Sequence, residues 1–259
     1  MSQDQYWRAS IYTTMRCNLR CPRCLERGLE IQQQPDLTWD AYERFVRGLC
    51  IQSATIKWIT FTGGEPTLWE PLLDALDFAR RMGFKTRVFS NGLHRSAADY
   101  GCADQVHITH YGSINGIDRL RLKRQLGSRL KIVRTIQIDV PLPDGGDASL
   151  PARCACPGVV LCGERAYPCS GLAKLNDPSL GFDMAMPIWL YEIQKIDPRN
   201  SPTCRTCLAN DKIRRRASPP LTLEGGLWES TRGFLWPMPW QFTWLRRANR
   251  WLFKKKMQK

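Results

Sequence analysis

Hydrophobic and polar positions in the first half of the chain follow two rhythms that alternate. Residues 8–14, Arg-Ala-Ser-Ile-Tyr-Thr-Thr, have the composition of a strand. After Pro35, Tyr42, Phe45, Val46 and Leu49 recur at helical spacing, and Thr38 is placed to cap the start. Residues 55–62 are rich in β-branched and aromatic types and stop at Gly63-Gly64, which predicts a second strand. A second helix is predicted from Leu68 to Met82, with Leu72, Leu73, Leu76 and Ala79 on one side and Gly83 at its end. Strands over 85–90, 105–109 and 130–140 and a helix over Ile117–Leu126 continue the series, and Asn91-Gly92 ends the first of these strands.

Regular strand–helix alternation indicates parallel β/α units. These units run from about residue 8 to about residue 150, too short for a closed barrel of about 250 residues. The predicted fold class is α/β, an open, partial (β/α) barrel of five or six units. Pro141 to Pro151, with Gly145-Gly146, has the composition of a linker. Beyond it come short strands, many Cys and Pro, and one helix near 187–196. Val159-Val160-Leu161 and Ala166-Tyr167-Pro168 suit a hairpin whose turn is Cys162-Gly163-Glu164-Arg165. Three segments result: 1–150, the barrel; 151–217, a small Cys-rich module; 218–259, a Trp-rich basic tail.

Cysteine usage changes the picture. The polar start, Met1-Ser2-Gln3-Asp4-Gln5, is unlike a signal peptide, and no run reaches the roughly 18 apolar residues of a spanning helix. A cytoplasmic location is expected. Thiols stay reduced there, and clustered Cys bind metal more often than they form disulfides. Of the 11 cysteines, nine fall in three groups, at 17/21/24, 154/156/162/169 and 204/207. Cys50 and Cys102 stand apart and suit small core positions.

Cys17-Asn18-Leu19-Arg20-Cys21-Pro22-Arg23-Cys24 follows the first strand as a CxxxCxxC loop. Three thiolates on one short loop can hold three corners of a [4Fe–4S] cluster and leave one iron open to another ligand. Spacing alone equally allows three ligands of a zinc site completed elsewhere. Gly63-Gly64-Glu65-Pro66 ends the second strand and Ser90-Asn91-Gly92 the third. Taken together, CNLxCxxC, GGEP and SNG at successive strand ends resemble the radical SAM superfamily over residues 8–140. The resemblance implies that Cys17, Cys21 and Cys24 hold a [4Fe–4S] cluster whose open iron takes S-adenosylmethionine (SAM). It places Gly63, Gly64 and Glu65 at the methionine amino group, and Ser90 and Asn91 near the ribose or carboxylate. It further implies reductive cleavage of SAM to a 5′-deoxyadenosyl radical that takes hydrogen from substrate, fed by an electron donor such as flavodoxin or ferredoxin. Arg23 departs from the family, which usually has an aromatic residue there against adenine; a guanidinium can also stack on a base. No acid, base or nucleophile is assigned.

One Cys before the hairpin, Pro168-Cys169 after it and a distant Cys204-Arg-Thr-Cys207 resemble the auxiliary-cluster modules called SPASM and twitch, with a count that suits the single-cluster twitch form. The resemblance implies Cys156, Cys169, Cys204 and Cys207 as ligands of an auxiliary [4Fe–4S] cluster. Cys154 competes with Cys156, and Cys162 falls at the turn, in a turn or substrate-facing role. A structural zinc site with four thiolate ligands uses the same residues. An auxiliary cluster that accepts an electron makes the reaction a net oxidation, a dehydrogenation or a cross-link, on a small molecule or peptide. The layout is similar to short aminocyclitol dehydrogenases and to larger peptide maturases.

Net charge is +14, and from Lys212 onward 12 Lys and Arg face only Glu224 and Glu229. Along 240–253, Trp240, Trp244, Ala248, Trp251 and Leu252 share one side of a predicted helix, with Arg246, Arg247 and Arg250 opposite. Three roles fit: a docking helix on its own barrel, an interfacial helix on an anionic membrane, and a contact with nucleic acid or an acidic partner. An alternative for the whole chain is a radical SAM enzyme acting on tRNA, or a metal-binding protein that binds nucleic acid without SAM chemistry.

Overall fold

The computed structural model describes residues 8–19, 35–53, 55–93, 97–110, 116–134, 158–173, 178–197 and 200. The chain divides into two compact units, Met1–Leu221 and Thr222–Lys259, and all described residues belong to the first. Predictions for the linker, for the C-terminal helix over 240–253 and for strand residues 135–140 lie outside the described residues.

β1 (Arg8–Thr14), β2 (Trp58–Gly63), β3 (Lys85–Ser90), β4 (Gln105–His110) and β5 (Leu130–Arg134) pair in parallel, each with the next. Helices α1 (Trp39–Gln52), α2 (Leu72–Arg81) and α3 (Gly116–Leu126) fall in the crossovers β1–β2, β2–β3 and β4–β5. All three pack on one face. Ile11, Ile59, Phe61, Val88, Val106 and Ile108 share a core with Phe45, Leu76 and Leu122 from the helices. A parallel sheet covered by helices on one face curls into an open barrel, and its other face becomes the interior. The α/β partial barrel is therefore present.

Several local signals hold. Thr38 caps α1, its Oγ1 accepting the Ala41 N–H at 3.3 Å, and Tyr42, Phe45, Val46 and Leu49 are all fully buried. The second helix starts later than predicted. Pro66–Leu68 forms a 3-10 turn, and α2 begins only after Pro71. Proline disfavours the helical region at the residue before it, so Glu70 interrupts the run. Leu73 is exposed rather than buried, as are Ile117 and Leu120 on α3. Cys50 lies exposed near the end of α1 and Cys102 is half-buried, so the core role fails for Cys50.

The hairpin is β6 (Val159–Cys162) and β7 (Arg165–Tyr167), with a two-residue turn at Gly163-Glu164. Gly163 has φ 55°, the left-handed region such a turn requires. Cys162 is the last residue of the strand, opposite Arg165, and not in the turn, and it is buried at 3% exposure. β6 also pairs in parallel with β1, on the side away from β2. β8 (Phe182–Asp183) pairs with β7, so one eight-stranded sheet runs β5-β4-β3-β2-β1-β6-β7-β8. α4 (Ser170–Ala173) follows Cys169, and α5 (Trp189–Lys195) covers the helix predicted near 187–196. Trp189 stacks on Phe45 with ring centroids 5.4 Å apart, and a side chain at Gly48 would collide with its indole. Among the described residues, no helix is long and apolar enough to cross a membrane.

Candidate active site at the carboxyl ends of the strands

Ligands of parallel sheets bind outside the carboxyl ends of the strands. Here the ends of β1, β2 and β3 are joined by contacts that leave almost no slack. Gly64 N–H donates to the Thr14 carbonyl at 2.7 Å, and Glu65 N–H to the Arg16 carbonyl at 2.8 Å. A Cβ on Gly63 would lie 2.4 Å from the Thr14 oxygen, and one on Gly64 2.2 Å from the Arg16 oxygen. Gly63 also has φ 124°, open to glycine at no steric cost. Each glycine of the pair thus serves close approach between backbones: the loop that leads into Cys17 rests directly on the end of β2.

The same loop is held from outside. Arg16 forms an ion pair with Asp36 and donates to the Leu68 carbonyl at 2.6 Å, while Thr14 donates its hydroxyl to Asp36. The Arg16 backbone N–H also donates to Thr14 Oγ1 at 3.0 Å. Cys17 therefore begins a loop tied to β2, to the turn after β2 and to the segment before α1.

Glu65 is 1% exposed, and its carboxylate joins β2 to β3. Oε1 accepts from Ser90 Oγ at 2.8 Å, from Thr67 Oγ1 at 2.7 Å and from Thr67 N at 3.3 Å; Oε2 accepts the Asn91 N–H at 2.7 Å. A carboxylate offers about four lone-pair directions, and four donors from the chain occupy them. Ser90 is equally committed, accepting from Gly92 N at 3.0 Å and lying 3.0 Å from the Tyr100 hydroxyl. Burial pushes the Tyr100 phenol well above its usual range, so it remains a hydroxyl. Glu65 and Ser90 thus act in this structure as buried struts.

Asn91 reaches the cysteine loop. Its Nδ2 donates to Asn18 Oδ1 at 2.6 Å and lies 3.9 Å from Cys17 Sγ, while its Oδ1 accepts from Leu93 N at 2.9 Å. The Leu19 N–H points at the same sulfur, at 3.4 Å. Two N–H groups directed at one thiol suit a sulfur that carries negative charge as a metal ligand. The donor set around Cys17 fits an iron–sulfur cluster. Cys21, Cys24 and Arg23 lie outside the described residues.

Cys169 is 8% exposed and accepts from Leu172 N at 3.4 Å. It shares an apolar cluster with Cys162, Tyr12, Val160 and Tyr167 on the inner face. Cys154, Cys156, Cys204 and Cys207 lie outside the described residues, and among those described no group of three metal-ligating side chains is assembled. The hairpin that carries Cys162 is latched to α1: Glu164 accepts from Thr38 Oγ1 at 2.7 Å and pairs with Arg44 at 2.7 Å. Thr67, Tyr100, Asn18, Asp36 and Glu164 were not singled out by motif reasoning. Only Thr67, two residues from Glu65, could have been found from sequence, as a hydroxyl at an Asx-like turn position.

No protein-family profile matches the chain. Several curated proteins show local similarity. The S-adenosylmethionine-dependent nucleotide dehydratase of a Thermoplasmatales archaeon is 29% identical over 128 residues, 48% of this chain and 44% of that protein. The GTP 3′,8-cyclase of Streptomyces coelicolor is 40% identical over 72 residues, 25% of this chain and 20% of the cyclase. The 7,8-dihydro-6-hydroxymethylpterin dimethyltransferase of Methanocaldococcus jannaschii is 30% identical over 93 residues, 36% and 18% of the two chains. The chain spans less than half the length of each. Among solved structures, BtrN in complex with AdoMet and 2-DOIA superposes with a TM-score of 0.55 at 14% identity, covering 78% of this chain and 93% of that one. At that identity the match speaks for the fold.

Proposed function

We propose, for a chain whose curated relatives are radical SAM proteins and whose fold is that of a radical SAM enzyme, the same founding chemistry: Cys17, Cys21 and Cys24 would hold a [4Fe–4S] cluster at which SAM would bind and be opened by one-electron reduction. The group, when bound, supplies the electron that splits the sulfonium and yields a 5′-deoxyadenosyl radical able to take hydrogen from substrate. The observation that carries this reading is the Cys17 sulfur at the strand ends, faced by the Leu19 N–H and the Asn91 amide and backed by Gly64.

The chain's own residues have separate tasks. Gly63 and Gly64 keep the cysteine loop against β2 and leave their backbone to the methionine amino group. Glu65, Ser90 and Tyr100 brace that backbone from beneath. Asn91 orients the cysteine loop through Asn18. Arg23 would lie near adenine.

The finer reading is an oxidoreductase. Cys169, with Cys156, Cys204 and Cys207, would hold an auxiliary [4Fe–4S] cluster that accepts an electron as a small molecule or peptide is dehydrogenated or cross-linked. The buried position of Cys169, in one cluster of side chains with Tyr12 of β1, supports placing that site beside the barrel. A flavodoxin or ferredoxin would supply the electron for SAM cleavage.

The test is electron paramagnetic resonance of the reconstituted protein reduced with dithionite. Adding SAM should change the cluster signal, as direct ligation of an open iron demands. A signal indifferent to SAM, or a protein that takes up zinc in place of iron, would reject the proposal.

A further inference from the structure

The inner face of β2–β5 carries side chains that the proposed SAM site does not use. Strand alternation puts Trp58, Lys85, Arg87, Phe89, Gln105, His107 and Lys131 there, because Ile59, Phe61, Val88, Val106 and Ile108 face the helices. Strands β1–β5 contain no Asp or Glu at all. In register, Phe89 stands opposite His107, and His107 opposite Lys131; one pair further down, Arg87 stands opposite Gln105. The side chains meet. The Arg87 guanidinium lies 4.8 Å from the Trp58 ring centre and donates to Gln105 Oε1 at 3.1 Å. His107 Nε2 is 3.2 Å from the same Oε1, and its ring is 4.7 Å from that of Phe89. Trp58, Arg87, Phe89 and His107 are half-buried and Lys131 is exposed.

We propose that this face binds an anionic group of the substrate, a phosphate or a carboxylate, with Arg87 and Lys131 as counter-charges and Phe89 beside them as a flat apolar wall. The inference rests on the radical SAM reading, which puts substrate on the inner face below the strand ends. Phe89 immediately precedes Ser90 and Asn91. At about 3.3 Å per strand residue, an anion at the Phe89–His107–Lys131 row leaves the rest of a small substrate within reach of SAM. Arg87 is pre-set by its stack on Trp58 and its bond to Gln105, so little side-chain freedom is lost on binding. His107 is held well below the usual imidazole range, chiefly by burial and then by repulsion from Arg87 and Lys131. An anion seated there would relieve that repulsion.

Inorganic pyrophosphate and citrate are the probes, titrated into the full-length holoenzyme with saturating SAM so that the open iron is not their ligand. Calorimetry should show one site for at least one probe. The one that binds tells phosphate from carboxylate, and binding of neither overturns the inference. Arg87→Gln and Lys131→Gln should each weaken binding about tenfold, the loss of one charge-assisted contact. A tail variant with Lys254, Lys255 and Lys256 all changed to Gln should bind as the parent does. Loss of binding in the tail variant alone would show an adventitious anion on the basic end and sink the idea. A second readout needs no variant. The chain has three His, and the imidazole resonance of His107 should titrate at higher pH once the anion is bound; an unmoved His107 contradicts the proposal. SAM cleavage without substrate is measured in parallel. If it occurs and no anion binds, this inference alone fails; if the holoenzyme never cleaves SAM, the radical SAM reading fails whatever the anion does.

Discussion

A methyl group at Gly64 cannot be accommodated unless the cysteine loop moves, because the Arg16 carbonyl occupies the space where Cβ would go. Gly64→Ala should therefore cost about 1–3 kcal/mol as an overpacked site and lower iron uptake, read from urea denaturation and iron assay. Gly163→Ala is the control. It meets nothing within 4 Å, and at φ 55° it should cost only about 1–2 kcal/mol, with iron uptake unchanged. Equal effects on iron would contradict the view that Gly64 sets the loop. Glu65→Gln swaps one acceptor oxygen for a donor amide among four donors, and should cost about 2 kcal/mol. The motifs GGEP and SNG were legible as strand ends with chemistry. What each residue does there was less legible. Glu65 and Ser90 bond to each other across 25 residues, and Tyr100 meets Ser90 from a turn that no motif marks. A one-dimensional pattern reports spacing along the chain and not which buried acceptors meet.

Each strand of the barrel was signalled by β-branched runs and turn residues, since a parallel sheet buries its outward face in step with the pattern. The hairpin was legible too, but its seat was not. β6 is buried at all four positions, and only pairing with β1 puts it there. The short apolar run Val159-Val160-Leu161-Cys162 was the available hint of a strand covered on both faces. Its latch to α1 is an exposed ion pair, so Glu164→Ala should lower stability by less than about 1 kcal/mol. On β4, His107 has its pKa lowered from 6.5 to about 4, so the folded chain stays neutral where the unfolded chain takes up a proton. Stability should then fall as pH drops through 6.5 toward 4, and His107→Gln should flatten that slope. Melting temperatures of the two proteins across this window provide the check; parallel curves would show that His107 is not responsible.

For the whole molecule, the decisive feature is that Cys17 stands at the carboxyl ends of the strands of a one-sided parallel sheet, with Cys21 and Cys24 following it in the sequence at CxxxCxxC spacing. Two clusters would give about eight iron atoms per chain after anaerobic reconstitution; about four iron with one zinc would instead make Cys169, Cys204 and Cys207 part of a zinc site. Partial-barrel architecture was legible because it is written in many weak, repeated signals. The proposed auxiliary site depends on a few cysteines far apart in sequence, and of Cys156, Cys169, Cys204 and Cys207 only Cys169 is among the described residues. The central claim is that this chain opens SAM at a cluster that includes Cys17. Its most direct test is chromatography of the products formed when the reconstituted protein is incubated anaerobically with SAM and dithionite. The parent protein should release 5′-deoxyadenosine and methionine, and Cys17→Ala should release neither. Absence of 5′-deoxyadenosine from a parent that carries its full complement of iron, or undiminished release by Cys17→Ala, would contradict the account.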